Sequence, residues 1–232
     1  MSKTMNAIVE DIHDPHPDIR VIRLRVTSAP ITWLAGQFME LSLPGLPARP
    51  YSIASAPHTG VLEFHIRNTN RGGVSQQVRY LKAGDALTLR GPFGTATRSS
   101  ADQGPMILIA GGMGLAPMKA LIDDALHHGH PGPVTLYWGA RTQRDLYLAD
   151  YFTALAQANP VFTFVPVVED KGDGLVGDAA IRNPAPLPGA AVYLSGPSPM
   201  VQAIIPLLLA QGAQAGKIHT DDAAGRLLLG AP

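Results

Sequence analysis

In the first hundred positions apolar residues come in short alternating runs, at residues 7–11, 21–26, 38–43, 51–55, 61–67 and 86–90. A period of two marks strands with one buried face. Residues 55–60 form a predicted hairpin connection, and Val74, Val78 and Leu81 share a helical spacing that predicts one short helix over residues 73–81. An antiparallel sheet closed as a small β-barrel is the economical arrangement. From about residue 101 the pattern changes. Short apolar runs at 106–110, 134–138, 162–168, 191–194 and 217–219 alternate with amphipathic stretches near 115–128, 143–157 and 199–211. That alternation predicts parallel βαβ units with helices on both faces, an α/β doubly wound sheet. The polar segment 98–104 is read as a flexible boundary, giving domains at 1–100 and 101–232.

Composition narrows the functions open to such a chain. Its 232 residues carry 18 Lys and Arg against 18 Asp and Glu, so no net positive field is present to hold a nucleic-acid backbone. Any anion must be held locally. Cysteine is absent, which excludes disulfides, thiolate zinc and a Cys-ligated iron–sulfur cluster carried by this polypeptide. Residues 1–18 contain no apolar run resembling a signal-peptide core. The apolar stretch at 105–118, broken by Gly111, Gly112 and Gly114, is shorter than the roughly 18 residues a membrane span requires. A soluble cytoplasmic protein is expected.

The candidate chemistry sits where strands end. The strand at 106–110 runs directly into Gly111-Gly112-Met113-Gly114-Leu115-Ala116-Pro117 and then a helix. Glycines there let the backbone approach a pyrophosphate, and the helix start supplies unpaired N–H groups. The spacing is neither that of a P-loop nor G-x-G-x-x-G. A strand-to-helix turn that merely needs glycine explains it equally well. The fourth strand ends in Ser195-Gly196-Pro197-Ser198-Pro199-Met200. With strand order 3-2-1-4-5, the first and fourth strands flank the switch point at which ligands bind, so both turns line one crevice. In the barrel half, Arg49-Pro50-Tyr51-Ser52 and Arg71-Gly72-Gly73-Val74-Ser75 combine a guanidinium, a stacking ring, hydroxyls and a glycine-led helix start. Together they suit a second nucleotide.

These motifs, with Gly91-Pro92-Phe93-Gly94 and Tyr137-Trp138-Gly139-Ala140-Arg141, stand in the order seen in the ferredoxin–NADP reductase superfamily, and the chain resembles its minimal two-domain members over nearly its whole length. The resemblance implies a flavoprotein that passes hydride from NADH or NADPH to FAD, or to FMN, and then electrons to a separate acceptor protein or to free flavin. It implies that Arg49 meets the flavin phosphate, Pro50 and Tyr51 pack by the isoalloxazine, and Ser52 lies near its N5. It further implies that His65, Ile66 and Arg67 follow the ribityl and pyrophosphate arm, with Gly72, Gly73, Val74 and Ser75 capping phosphates. The turn from Gly111 to Pro117 would seat the nicotinamide dinucleotide, Gly139 and Arg141 would approach its adenosine ribose, and Ser195, Gly196, Pro197 and Met200 would lie by the nicotinamide. Ser52 and Ser195 then act by positioning, and no general acid or base is nominated.

Departures from the pattern are informative. Ser195 stands where many relatives carry Cys, and residues 227–232 lack the terminal aromatic of plant-type relatives. Arg141 and Arg144 offer guanidinia to a 2′-phosphate, but Asp145 is adjacent and can pair with either, which favours NADH while leaving NADPH open. His127, His128 and His130 are read as a solvated helix end rather than a metal site, and Asp123-Asp124 as a solvated face. Asp221-Asp222, just after the last strand, is placed at the flavin border. Two further readings are an electron-relay subunit of a larger hydrogenase or dehydrogenase complex and a nucleotide-binding module without turnover.

Overall fold

A computed structural model describes residues 3–28, 30–70, 72–182, 187 and 189–230. Arg71, the opening residue of the second barrel motif, lies outside the described residues, as do the last two of the chain.

Six strands form the antiparallel sheet: β1 (Lys3–His16), β2 (Ile19–Val26), β3 (Phe38–Ser42), β4 (Arg49–Ser52), β5 (Leu62–Arg67) and β6 (Ala86–Phe93). Their order is β4-β3-β6-β1-β2-β5. Inward residues Val9, Ile22, Leu24, Met39, Leu41, Phe64, Ile66 and Leu89 make one continuous core. Full burial of each large aliphatic side chain stabilises the fold by about 1.5–3 kcal/mol. Strand β1 is longer than its alternation predicts because β2 and β6 both pair with it along different stretches, with irregularities at Val9/Asp11 and His13/His16. The short helix α1 (Gly73–Gln77) continues as a 3-10 turn at Val78–Tyr80. It puts Val74 and Val78 beneath the barrel.

The segment at 55–60 is not a hairpin. Strand β4 pairs with β3 and β5 pairs with β2, so β4 and β5 are the two ends of the sheet. They meet through the Ala54 N–H donating to the Glu63 carbonyl at 2.8 Å. Ser55 Oγ adds a hydrogen bond from the Glu63 N–H at 3.1 Å. In antiparallel register Ser52 would next face His65 and Pro50 would face Arg67, yet no ladder forms there. The barrel is thus left with an open seam.

The second half is a five-stranded parallel sheet of β7 (Met106–Gly111), β8 (Val134–Ala140), β9 (Phe162–Val168), β10 (Ala191–Ser195) and β11 (Ile218–His219), in the order β11-β10-β7-β8-β9. This is the predicted 3-2-1-4-5 arrangement. Helices α2 (Leu115–His127) and α3 (Ala149–Ala158) pack on one face around Leu108, Leu136, Trp138 and Phe152. Helices α4 (Val176–Arg182) and α5 (Ser198–Ala210) pack on the other around Ile109, Val192, Ile204 and Ile205. The helix expected over 143–157 is broken: a 3-10 turn at Gln143–Asp145 is closed by a capping box between Thr142 and Asp145, and α3 starts only at Ala149. Helices α4 and α6 (Ala223–Leu228) were not apparent from periodicity. Each spans fewer than two turns, too short for a helical repeat of apolar residues to stand out, although the Asp222 carboxylate caps α6 by accepting from the Gly225 N–H at 2.6 Å.

The segment at 98–104 is pinned, not loose. Arg98 is half-buried and pairs with Asp124 of α2 at 2.8 Å, and Lys217 reaches Asp102 at 3.3 Å. This also corrects the expectation for Asp123-Asp124. Asp124 is held by Arg98, and Asp123 by Lys119 at 3.1 Å and the Tyr151 hydroxyl at 2.6 Å. A lone buried carboxylate is costly, so each is paired. His130 is buried with its Nε2 beside the Gly104 carbonyl, whereas His127 and His128 are exposed as expected. Among the described residues no group of His, Asp and Glu is arranged to hold a metal, and no helix is long and apolar enough to cross a membrane.

Candidate functional site

The carboxyl ends of β7, β8, β9 and β10 open into a cavity of about 430 Å³. Its lining includes Gly111, Gly112, Gly139, Arg141, Pro197 and Met200, which brings both glycine-containing turns into one cleft. The glycines do different work. A Cβ on Gly114 would run into the Ser195 carbonyl, and one on Gly111 would run into the Met200 sulfur. These two are needed so that the β7 and β10 turns can pack together. Gly112 has φ +52° and open space where a Cβ would be, so its backbone faces the cleft unobstructed. The Trp138 indole N–H donates to the Gly112 carbonyl at 3.0 Å and fixes the orientation of that peptide. The side chains of Leu115, Ala116 and Pro117 are buried, Leu115 in the core under α2, so this part of the motif offers backbone and shape.

A second, smaller crevice of about 30 Å³ lies between the two sheets and is lined by Ser52, Pro117, Ser195, His219 and Asp221 among others. It places the end of β4, the first turn of α2 and the end of β10 around one point. Asp221 accepts from the Thr95 N–H at 3.3 Å. Burial pushes its carboxyl above the ordinary range, against the opposing effects of that hydrogen bond and of Arg226. Beside it, Tyr193 and His219 are stacked, with the Tyr193 hydroxyl and His219 Nε2 buried without partners among the described residues.

Two family comparisons divide the chain as the two sheets do. The oxidoreductase FAD-binding domain family matches residues 6–97, and the oxidoreductase NAD-binding domain family matches residues 108–205. The ferredoxin–NAD(P)+ reductase component of the naphthalene 1,2-dioxygenase system from Pseudomonas putida is 34% identical over 227 residues, covering 95% of this chain and 69% of that protein. The reductase component of phenol 2-monooxygenase from a Pseudomonas species is 33% identical, covering 87% of this chain and 60% of that protein. The crystal structure of an Amycolatopsis cytochrome P450 reductase superposes with a TM-score of 0.85 at 32% identity, over 94% of this chain and 69% of that one. The chain belongs to the ferredoxin–NADP reductase superfamily. It is a flavin-dependent oxidoreductase with FAD-binding and NAD-binding domains, and it spans between 60% and 69% of the length of these relatives.

As a ferredoxin-reductase-type protein it requires seats for two dinucleotides, and its residues fit them. Arg67 lines the cleft at the strand ends, and its Nε is buried with no hydrogen-bond partner among the described residues. Gly73, at the start of α1, has φ +71° and nothing where a Cβ would stand. Arg141 lines the cavity with no ion pair among the described residues.

Several predicted residues take unexpected places. Asp145 pairs with neither Arg141 nor Arg144 but with Arg67 of the barrel at 3.0 Å. Its carboxyl stays below the ordinary range because hydrogen bonds from Thr142 and the Arg67 charge outweigh its burial. Arg144 turns to β1, its Nε 3.2 Å from His16 Nε2. Ile66 and Val74 point into the barrel core. Arg49, Pro50 and Gly72 are exposed, while Tyr51 packs partly against that core and Ser75 Oγ lies 3.2 Å from Thr69 Oγ1. His65 does not face the open seam, since its side chain is almost wholly buried between the two domains. Tyr147 carries no distinguishing signal in the sequence, because it acts through His65, 82 positions away along the chain.

Proposed function

We propose that this chain takes electrons from NADH or NADPH onto FAD and delivers them to a separate acceptor protein. Residues 1–100 form the flavin-binding domain and residues 101–232 the nicotinamide-binding domain. The observation that carries this reading is the small crevice, where Ser52 from the barrel and Ser195 from the parallel sheet meet beside Pro117. Bound FAD supplies a two-electron acceptor that can release electrons singly. Arg49 and the open Gly73 hold its phosphates, Tyr51 packs along the ring, and Ser52 sets the ring edge. Arg67, expected along the flavin's pyrophosphate arm, lines the same cleft as Gly112, and on that placement the two hold the nicotinamide dinucleotide's pyrophosphate, with Gly139 and Arg141 at its ribose and Ser195 and Met200 at the nicotinamide end. Orientation of two stacked rings is the catalytic task, so no proton-transfer residue is assigned.

A protein acceptor is favoured over free flavin by the named role of the relatives as reductase components of oxygenase systems. A cytoplasmic location agrees with dependence on NAD(P)H, a cofactor of the cell interior. The test is an anaerobic titration of the purified, FAD-loaded chain with NADH and NADPH, followed by flavin absorbance. Bleaching by one nicotinamide, with onward transfer to an added one-electron protein acceptor, is expected. No bleaching with either removes the proposal, and rapid turnover only with excess free flavin replaces the protein acceptor with flavin.

A further inference from the structure

One buried polar network joins the two domains and lies outside both cavities. Its centre is the pair Glu63 and His65 on β5. Glu63 Oε1 lies 3.0 Å from His65 Nε2 and 3.3 Å from Lys119 Nζ of α2, and Arg23 Nε donates to its second oxygen at 2.9 Å. On the other side of the imidazole, His65 Nδ1 is 2.8 Å from the hydroxyl of Tyr147, which follows β8. Lys119 also reaches Asp123, whose other oxygen accepts from Tyr151 of α3.

Hydrogen-bond chemistry fixes the directions. An ionised carboxylate only accepts, so His65 Nε2 carries the proton, and neutral Nδ1 accepts from the Tyr147 hydroxyl. Burial keeps the imidazole neutral by lowering its pKa. Burial alone would raise Glu63, but the bonds from His65 and Arg23 and the Lys119 charge hold it well below the ordinary range. The Tyr147 ring is held edge-on to Trp138, whose indole orients the Gly112 peptide.

The network therefore ties together three elements that border the cofactor sites. Strand β5 is one lip of the barrel seam, α2 begins at the dinucleotide turn, and the β8–α3 loop follows Arg141. A hydrophobic interface would stabilise the domain contact at least as well, since buried ion pairs rarely add net stability. What directional bonds add is a fixed relative placement. We propose that His65 is a positioning residue which, through Glu63 and Tyr147, locks the nicotinamide-binding domain in register with the flavin-bearing strand and so sets the approach of the two rings.

This inference rests on the function proposed above, and its test separates the two. Anaerobic stopped-flow reduction of the FAD-loaded chain gives the limiting reduction rate, the half-saturating NAD(P)H concentration and the long-wavelength absorbance of stacked nicotinamide and flavin. Tyr147→Phe, which removes one oxygen and keeps the ring, is expected to lower the limiting rate by about 5- to 30-fold, because small misplacements of reacting groups are costly. The stacking band should weaken, and the isotope effect with nicotinamide deuterated at the transferred position should grow. Flavin content and half-saturation should stay as in the wild type. His65→Gln, which keeps an amide donor and acceptor, should retain more rate than His65→Ala. An unchanged rate and band in Tyr147→Phe, with or without a lower Tm, overturns the inference. So does loss of flavin or a change in half-saturation alone. Failure of the wild type itself to bleach overturns the functional proposal and this inference with it.

Discussion

At the ends of β7 and β10 the site is walled by backbone, with Gly111 and Gly114 admitting Met200 and the Ser195 carbonyl into contacts that no larger residue allows. Across the molecule, where β5 faces α2 and the β8–α3 loop, the wall is made of paired charges and hydroxyls: Glu63, His65, Lys119, Tyr147, and Arg67 with Asp145. The first region is shaped by local sterics within one sheet and exists whatever the other domain does. The second exists only when both domains are in place. A dinucleotide seat can therefore be preformed, while the distance between two cofactors has to be set by contacts between domains.

Breaking the charged region should have the larger effect on folding. Glu63→Ala leaves the half-buried Lys119 with Asp123 alone and the buried His65 N–H without an acceptor, and a loss of about 3 kcal/mol is expected in denaturant unfolding. A loss under 1 kcal/mol would mean that solvent already reaches the network. In the backbone-walled region, Gly114→Ala should cost about 1–3 kcal/mol through overpacking against the β10 turn. It should also raise the half-saturating NAD(P)H concentration. Gly112→Ala meets no neighbour and bears only the left-handed conformation, about 1 kcal/mol, so its effect should fall on dinucleotide binding rather than Tm. Equal stability losses at the two glycines would erase the distinction between packing and ligand-facing positions.

Acid sharpens the same contrast. The His65 pKa lies below its ordinary 6.5 in the folded protein, so beneath that pH the unfolded chain binds a proton that the native one refuses. Glu63, held below its ordinary 4.5, acts in the same direction at lower pH. Stability should accordingly fall as pH drops from about 7 to about 5, and His65→Gln should flatten that slope in thermal unfolding. The smallest effect is expected at Arg25, paired with Glu10 at 2.6 Å on the solvated barrel face with both side chains largely exposed. Arg25→Ala should change stability by less than about 1 kcal/mol, and less still in high salt.

The sequence by itself determined the two kinds of sheet and the two turns that follow the first and fourth parallel strands. Each of these follows from periodicity or from glycine placed beside a strand, both local properties. It also carried the ordered motifs that mark the superfamily. Tertiary structure alone decided that Asp145 binds Arg67, that Asp124 is buried under Arg98, that β4 and β5 leave a seam between them, and that His65 turns away from it toward Tyr147. Those pairs are separated by 26 to 82 positions, or depend on which strand end lies next to which. A charged side chain announces that it needs a partner, but the chain's path through space chooses which one.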